Sequence, residues 1–343
     1  MTKEMIPGLA LAVIQNGHVV KEATYGVASV ELMVPVTLTT SFPLASMTKV
    51  FTAAAIMRFV QRGRLQLDEP VARILPQLPA KWSAVTIREC LAHTSGLPDV
   101  FTDGINGTAI AGTLRGMFAA LRKMPVQPPG ERSVYNQTGY VLLGMIIEKM
   151  TSMKYAAYME SHFFQSLGLT ELRFGDAWAI IPGEADLYTK LDITPDHLKL
   201  LVHDGQPVFL HHRILRYGAK FFPTYLAPAA TLNGSIRDLV TWETELADGK
   251  VLSTSTLTEM ATPYRLRDGK PGVFGLGFTI GKIGPYRTVS YEGGAATWRL
   301  SIPAKRLTVI VLTNLQGSSP DQIAAGTARL YLPELSHDSA ARR

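Results

Sequence analysis

Apolar and polar positions alternate at both ends of the chain and recur at helical spacing in the middle. "GLALAVIQNGHVVKEATYGV" (Gly8 to Val27) is two β-rich runs about Asn16-Gly17. Asn-Gly is the favoured chemistry for a tight hairpin, so a β-hairpin is expected here. Near the other end "GVFGLGFTIGK", "YRTVSYE", "ATWRLSIP" and "LTVIVLTN" give four more short β-rich runs, and "SPDQIAAGTARLYLPEL" reads as a closing amphipathic helix. Strands at both ends imply one antiparallel sheet assembled from distant parts of the chain. Between them, Val50, Ala53, Ala54, Met57 and Val60 repeat at helical spacing, which predicts a helix from Ser46 to a stop at Gly63. "TIRECLAHT" and "TGYVLLGMIIEKMTSMKYAAYMESHFF" predict further helices. The stretch from about Glu171 to Ala230 bears Pro, Gly and His, fits neither period, and by its position suggests a variable lid over a site.

Composition narrows the class. With 46% hydrophobic and 18% charged residues in a chain of 343, there is material for a sizeable core and too little charge for disorder. The net charge of +6 is scattered, with no run of Lys and Arg, which points away from a nucleic-acid groove. Cys90 is the one cysteine, so no internal disulfide forms; nothing basic beside it would lower its pKa, and it reads as an inert buried thiol. No stretch is long and apolar enough to span a membrane, and no signal peptide is visible. As written the chain would be cytoplasmic; a removed leader would make it periplasmic or secreted.

Three stretches carry chemistry. In "PLASMTKVF", Ser46 stands three residues before Lys49 at a predicted helix start, and residues three apart share a helix face. A serine needs an adjacent base to act as a nucleophile, and a desolvated lysine can be that base. Ser is equally a favoured helix cap, and on the tetrapeptide alone the cap is the better reading. Against it, Ser46 is the only serine in the chain with Lys three residues later. In "PPGERSVYNQTGY", Tyr135 precedes a helix; such a tyrosine usually packs, but a phenol near a lysine can relay a proton. Gln137 would offer its amide to a substrate carbonyl. In "SYEGGA", a β-rich run ends in Tyr291-Glu292-Gly293-Gly294. Paired glycines admit a substrate backbone to a strand edge, and the N–H of Gly294 can join that of Ser46 as an oxyanion hole. Alone, that stretch is better read as a turn. His197, His203, His211 and His212 lie close in sequence but match no metal signature, and surface or lid histidines are the better reading.

Together, "ASMTKVFTAAAIMRFVQRGRLQLDEPV", "ECLAHTSGLPD", "PPGERSVYNQTGYVLLGMIIEKMT" and "SYEGGA" resemble the serine β-lactamase and penicillin-binding-protein superfamily. The resemblance is to its class C β-lactamase, D,D-carboxypeptidase and family VIII carboxylesterase branch, and runs from about Ile6 to Leu315. It implies a β-lactamase/transpeptidase-like α/β (α+β) fold, with an antiparallel sheet flanked by helices (1–65 and 240–343) beside an all-helical subdomain (66–239). It implies Ser46 as acyl-accepting nucleophile, Lys49 as its activating partner, Tyr135 as proton shuttle, and a structural His93. Gln137, Tyr291 and Gly293 would line the substrate; Trp298 is read either as lining the acyl pocket or as core packing. No metal or organic cofactor is implied, and the partner would be a small ester, amide or peptide, with no nucleic acid. The branch usually writes Tyr-x-Asn where Gln137 stands, and Lys or His where Tyr291 stands. A phenol supplies no charge to a substrate carboxylate, so the expected activity is a carboxylesterase on short-chain esters. The alternatives are a D,D-peptidase or D-aminopeptidase with weak β-lactamase activity, and a catalytically silent penicillin-binding or sensor protein. Arg299 and Arg306 are the other cations that could meet a carboxylate.

Overall fold

The computed structural model describes residues 5–101, 112–175, 179–190 and 222–335, with the backbone of three short strands between 202 and 216. Seven antiparallel strands form the main sheet. They are β1 (Gly8–Gln15), β2 (His18–Ser29), β3 (Val34–Pro35), β4 (Thr279–Ile283), β5 (Tyr286–Gly293), β6 (Thr297–Ile302) and β7 (Leu307–Thr313). The order is β4-β5-β6-β7-β1-β2-β3, so the two ends of the chain meet where β1 pairs β7, with Leu9 opposite Thr313 and Val13 opposite Val309. Asn16 (φ 55°) and Gly17 (φ 82°) make the turn between β1 and β2, the left-handed pair that a two-residue hairpin requires.

β1 is buried almost along its length, because both faces of the sheet are covered. Ala10, Ala12, Ile14, Ile310 and Leu312 face a large core built around helix α1 (Thr48–Gln61). Leu9, Leu11, Val13, Val309 and Val311 face a second layer under the C-terminal helix Pro320–Tyr331, which brings Ala324 and Ala328. This is period-two alternation with an apolar layer on each side. α1 is buried on nearly every side, and Phe51 meets Trp242 of the helix Ile236–Ala247 at 4.5 Å between ring centroids.

The expected long helix after Tyr135 is broken. α2 (Thr138–Thr151) ends at Ser152 in the left-handed region (φ 58°), and a new helix starts at Tyr155. The Glu148 carboxylate accepts the Tyr155 N–H at 3.0 Å, which gives the restarted helix a capping partner. Gly144 lets another short helix approach α2. A Cβ at this position would sit 2.0 Å from Pro228 Cγ, so the absent side chain allows the helix Ala227–Ala230 to lie against α2. Among the described residues no helix is long and apolar enough to cross a membrane. The middle of the stretch expected as a lid, 191–221, lies outside the described residues apart from three short strands, and His197, His211 and His212 lie outside them too; His203 is described only as strand backbone.

Candidate active site

Ser46 lies in a single 3-10 turn, Ala45–Met47, that runs straight into α1. The turn is tied on both sides. Leu44 N–H donates to Leu232 C=O at 2.9 Å, and Thr48 Oγ1 accepts Leu232 N–H at 3.1 Å while donating to Ala45 C=O. Ala45 is held at φ 46°, where a residue with a Cβ is uncommon. The predicted helix therefore begins two residues after Ser46, and Ser46 makes no side-chain cap.

One turn on, Lys49 Nζ donates to Ser46 Oγ at 3.2 Å and to Ala229 C=O at 2.8 Å. That carbonyl is presented by the short helix held against Gly144, and Thr52 of α1 ties the same helix by donating to Pro228 C=O at 2.7 Å. Lys49 is 4% exposed. Burial brings its pKa from 10.5 down to about 7, opposed by the charges of Asp99 and Glu292.

The Tyr135 ring lies 4.8 Å from Lys49 Nζ, and its phenol hydrogen-bonds the side chains of Ser46 and Gln137. Burial raises the phenol's pKa against the Ser46 hydrogen bond, so it keeps its proton at neutral pH. His93 props this loop. Its ring packs against Tyr135 at 4.5 Å between centroids, tilted by 38°, its Nδ1 accepts Asn136 N–H at 3.1 Å, and its carbonyl accepts Val134 N–H at 2.9 Å. Burial and the Lys49 charge push its pKa well below 6.5, so the imidazole is neutral. Asn136 joins Leu97 C=O and Gly139 N–H, each at 2.8 Å, and Asp99 accepts the Gln137 N–H.

The end of β5 closes the site from the other side. A Cβ on Gly293 would stand 1.9 Å from Leu44 C=O, and one on Gly294 3.3 Å from Ala45 Cβ. The bare backbone at Gly293, expected to admit a substrate, instead admits the protein's own nucleophile turn. Gly294 has φ 54°, and its N–H donates to no backbone carbonyl among the described residues. Next to Ser46 an open, mainly apolar cleft is lined by Pro43, Ala45, Ile181, Phe222, Leu232 and Gly294, among others.

Two expected substrate contacts lie elsewhere. Tyr291 is 4% exposed, and its hydroxyl donates to Glu243 at 2.6 Å. Arg299 donates to the same carboxylate and to Val289 C=O, so Tyr291, Glu243 and Arg299 form a buried network between sheet and helix. Strand alternation puts Tyr291 on the core face, where an aromatic ring above Phe278 is stable and a free phenol toward substrate is not available. Trp298 packs into the layer under the C-terminal helix and does not line the cleft. Arg306 stands at the β6–β7 turn and reaches toward Gly17, away from Ser46. Gln137 is 5% exposed and turned to Tyr135. The unforeseen members are Asp99, Ala229 and Glu292. Asp99 and Glu292 stand inside the matched motifs "HTSGLPD" and "SYEGGA", whereas Ala229 had no signal, because only its backbone carbonyl is used.

The Beta-lactamase family model matches residues 1–332. The chain belongs to the Beta-lactamase family. That places it in the serine hydrolase superfamily, and its sheet and helices form the β-lactamase/transpeptidase-like fold. Protein flp of Staphylococcus aureus (strain COL) is 31% identical over 179 residues, 51% of this chain and 36% of flp, so the chain matches about a third of that relative's length. Penicillin-binding protein 4* of Bacillus subtilis (strain 168) is 27% identical over 321 residues, 91% of this chain and 69% of that protein. The octameric penicillin-binding protein homologue from Pyrococcus abyssi superposes with a TM-score of 0.76 at 28% identity, over 97% of this chain and 75% of that one.

Proposed function

We propose that this chain hydrolyses short-chain carboxylic esters through an acyl-enzyme on Ser46. The observation that carries the reading is Lys49 Nζ at 3.2 Å from Ser46 Oγ, in a site whose burial brings the amine to about 7. At neutral pH about half of Lys49 is then a free amine able to take the Ser46 proton. The Tyr135 phenol stays protonated and bridges to Ser46, which suits it to pass a proton to the leaving group. Attack by Ser46 Oγ makes a tetrahedral oxyanion, which the N–H groups of Ser46 and Gly294 would receive. Collapse expels the alcohol, and water relayed by the same pair releases the acid.

The preference for esters over penicillins and D-Ala-D-Ala peptides is a charge argument. Those substrates bring a carboxylate beside the scissile carbonyl. Tyr291 gives it no cation, and Arg299 is already engaged by Glu243. The apolar cleft beside Ala45 and Gly294 suits a short acyl chain. A penicillin-binding reading is favoured instead by the kinship with penicillin-binding protein 4*. Ser46→Ala should abolish hydrolysis of p-nitrophenyl butyrate and labelling by a fluorophosphonate, with an unchanged melting temperature. Retained turnover would refute the acyl-enzyme. A penicillin or D-Ala-D-Ala peptide turned over faster than the ester would refute the ester preference, and labelling without turnover of either would mark a silent binder.

A further inference from the structure

The sheet face that carries Tyr291 is filled at one end and open at the other. Along β5, alternation puts Arg287, Val289 and Tyr291 on one side. Beside them in register stand Arg299 and Ser301 on β6, then Ile310 and Thr308 on β7. At Tyr291 this face is closed by Glu243, which holds both Tyr291 and Arg299. Toward Arg287 the packing gives way to a cleft of about 410 Å³, between the sheet and the helices Ile236–Ala247 and Thr254–Met260. That volume is in the range of small-molecule sites. The cleft shares no lining residue with the one beside Ser46. Its lining is of two kinds. Leu246, Leu257 and Phe278 give it an apolar wall, whereas Arg287 and Arg306, both exposed, bring charge to it.

That charge is one-sided. The two carboxylates that line the cleft are already engaged, Glu243 by Arg299 and Tyr291, and Asp248 by Lys250 at 3.6 Å. Among the described residues neither Arg287 nor Arg306 has an ion-pair or side-chain hydrogen-bond partner. Lys282 stands directly opposite Arg287 in the β4–β5 register, and like charges so placed repel each other. No described carboxylate pairs with Lys282 either. Arg306 opens β7, two strands from Arg287, so their backbones are about 10 Å apart. Two long side chains at that separation can meet one anion, and the planar arginine fork matches a carboxylate. We propose that this cleft binds a small amphipathic carboxylate. Its apolar body would lie against Leu246, Leu257 and Phe278, and its carboxylate between Arg287 and Arg306. The site is separate from Ser46, so the proposal does not rest on the acyl-enzyme.

The test is calorimetric titration of the full chain with octanoate and with 4-phenylbutyrate. At least one should bind the wild type. Arg287→Gln and Arg306→Gln should each weaken that binding roughly ten-fold or more, the size of one charge-assisted hydrogen bond. Two controls separate charge from body. The matching alcohols, octanol and 4-phenylbutan-1-ol, carry the body without the charge, and inorganic phosphate carries charge without the body. Each should bind at least roughly ten-fold more weakly than the carboxylate. Without ligand, Arg287→Gln should keep or raise the melting temperature, because it removes the repulsion from Lys282. Binding of neither carboxylate, or binding that both variants retain, overturns the proposal; in the second case the anion sits elsewhere, the Ser46 cleft included. Alcohols that bind as well as the acids overturn the role of the arginines. Phosphate that binds as well overturns the apolar wall. A melting temperature lowered by Arg287→Gln would show a partner for Arg287 within the fold and overturn the unpaired charge.

Discussion

Lys49 ties the fold to the chemistry through one quantity. Burial moves its pKa from 10.5 to about 7, which separates its charged and neutral forms by about 5 kcal/mol relative to water. For activity the sign is simple: the free amine is the base, so kcat/KM should rise with pH. The neutral fraction goes from about a tenth at pH 6 to about nine-tenths at pH 8, a rise of about ten-fold centred near 7. For stability the unfolded chain holds the Lys49 proton up to about 10.5, while the folded chain releases it near 7. The unfolded state therefore binds more protons in that window, and folding stability rises with pH across it; below about 7 the full cost of the buried charge is present. Lys49→Met removes the amine and this dependence. Against that variant the wild type should gain about 2 kcal/mol between about pH 7 and 9. The assays are p-nitrophenyl butyrate hydrolysis across that range and denaturant titration of both proteins. A flat rate from about pH 6 to 8, or equal pH dependence of stability in both proteins, would refute the neutral-base argument.

Tyr135→Phe removes the phenol that meets Ser46 and Gln137 but keeps the ring packed against His93. It should lower kcat by about 10²–10⁴ with little change in melting temperature; an intact rate would leave Tyr135 a packing residue. Tyr291→Lys should bring no gain on carboxylate-bearing substrates, because the new ammonium would be buried beside Arg299. It should destabilise the fold by several kcal/mol, the cost of an uncompensated buried charge, read by denaturant titration. A gain of activity on penicillins would show that position 291 does reach the substrate.

Periodicity and turn chemistry in the sequence were enough for the sheet. Asn16-Gly17 fixed the hairpin, and six β-rich runs, two from the first end and four from the other, supplied six of the seven strands; the two-residue edge strand Val34–Pro35 was too short to show a period. Hydrophobic spacing also found α1, whose buried residues run nearly all round it. The break at Ser152 escaped, because a left-handed residue inside a helical pattern is decided by how Glu148 and Tyr155 meet. At the site, the i, i+3 spacing of Ser46 and Lys49 was local and therefore legible, and the two side chains are in contact. What faces the cleft along β5 was not legible. Tyr291, Glu292 and Gly293 alternate sides, and only the packing of the strand against Leu44 and Glu243 decides which side is inward. The proton affinity of Lys49 is likewise tertiary. Its residue type leaves the value open on either side of 10.5, and burial in the packed core selects one near 7.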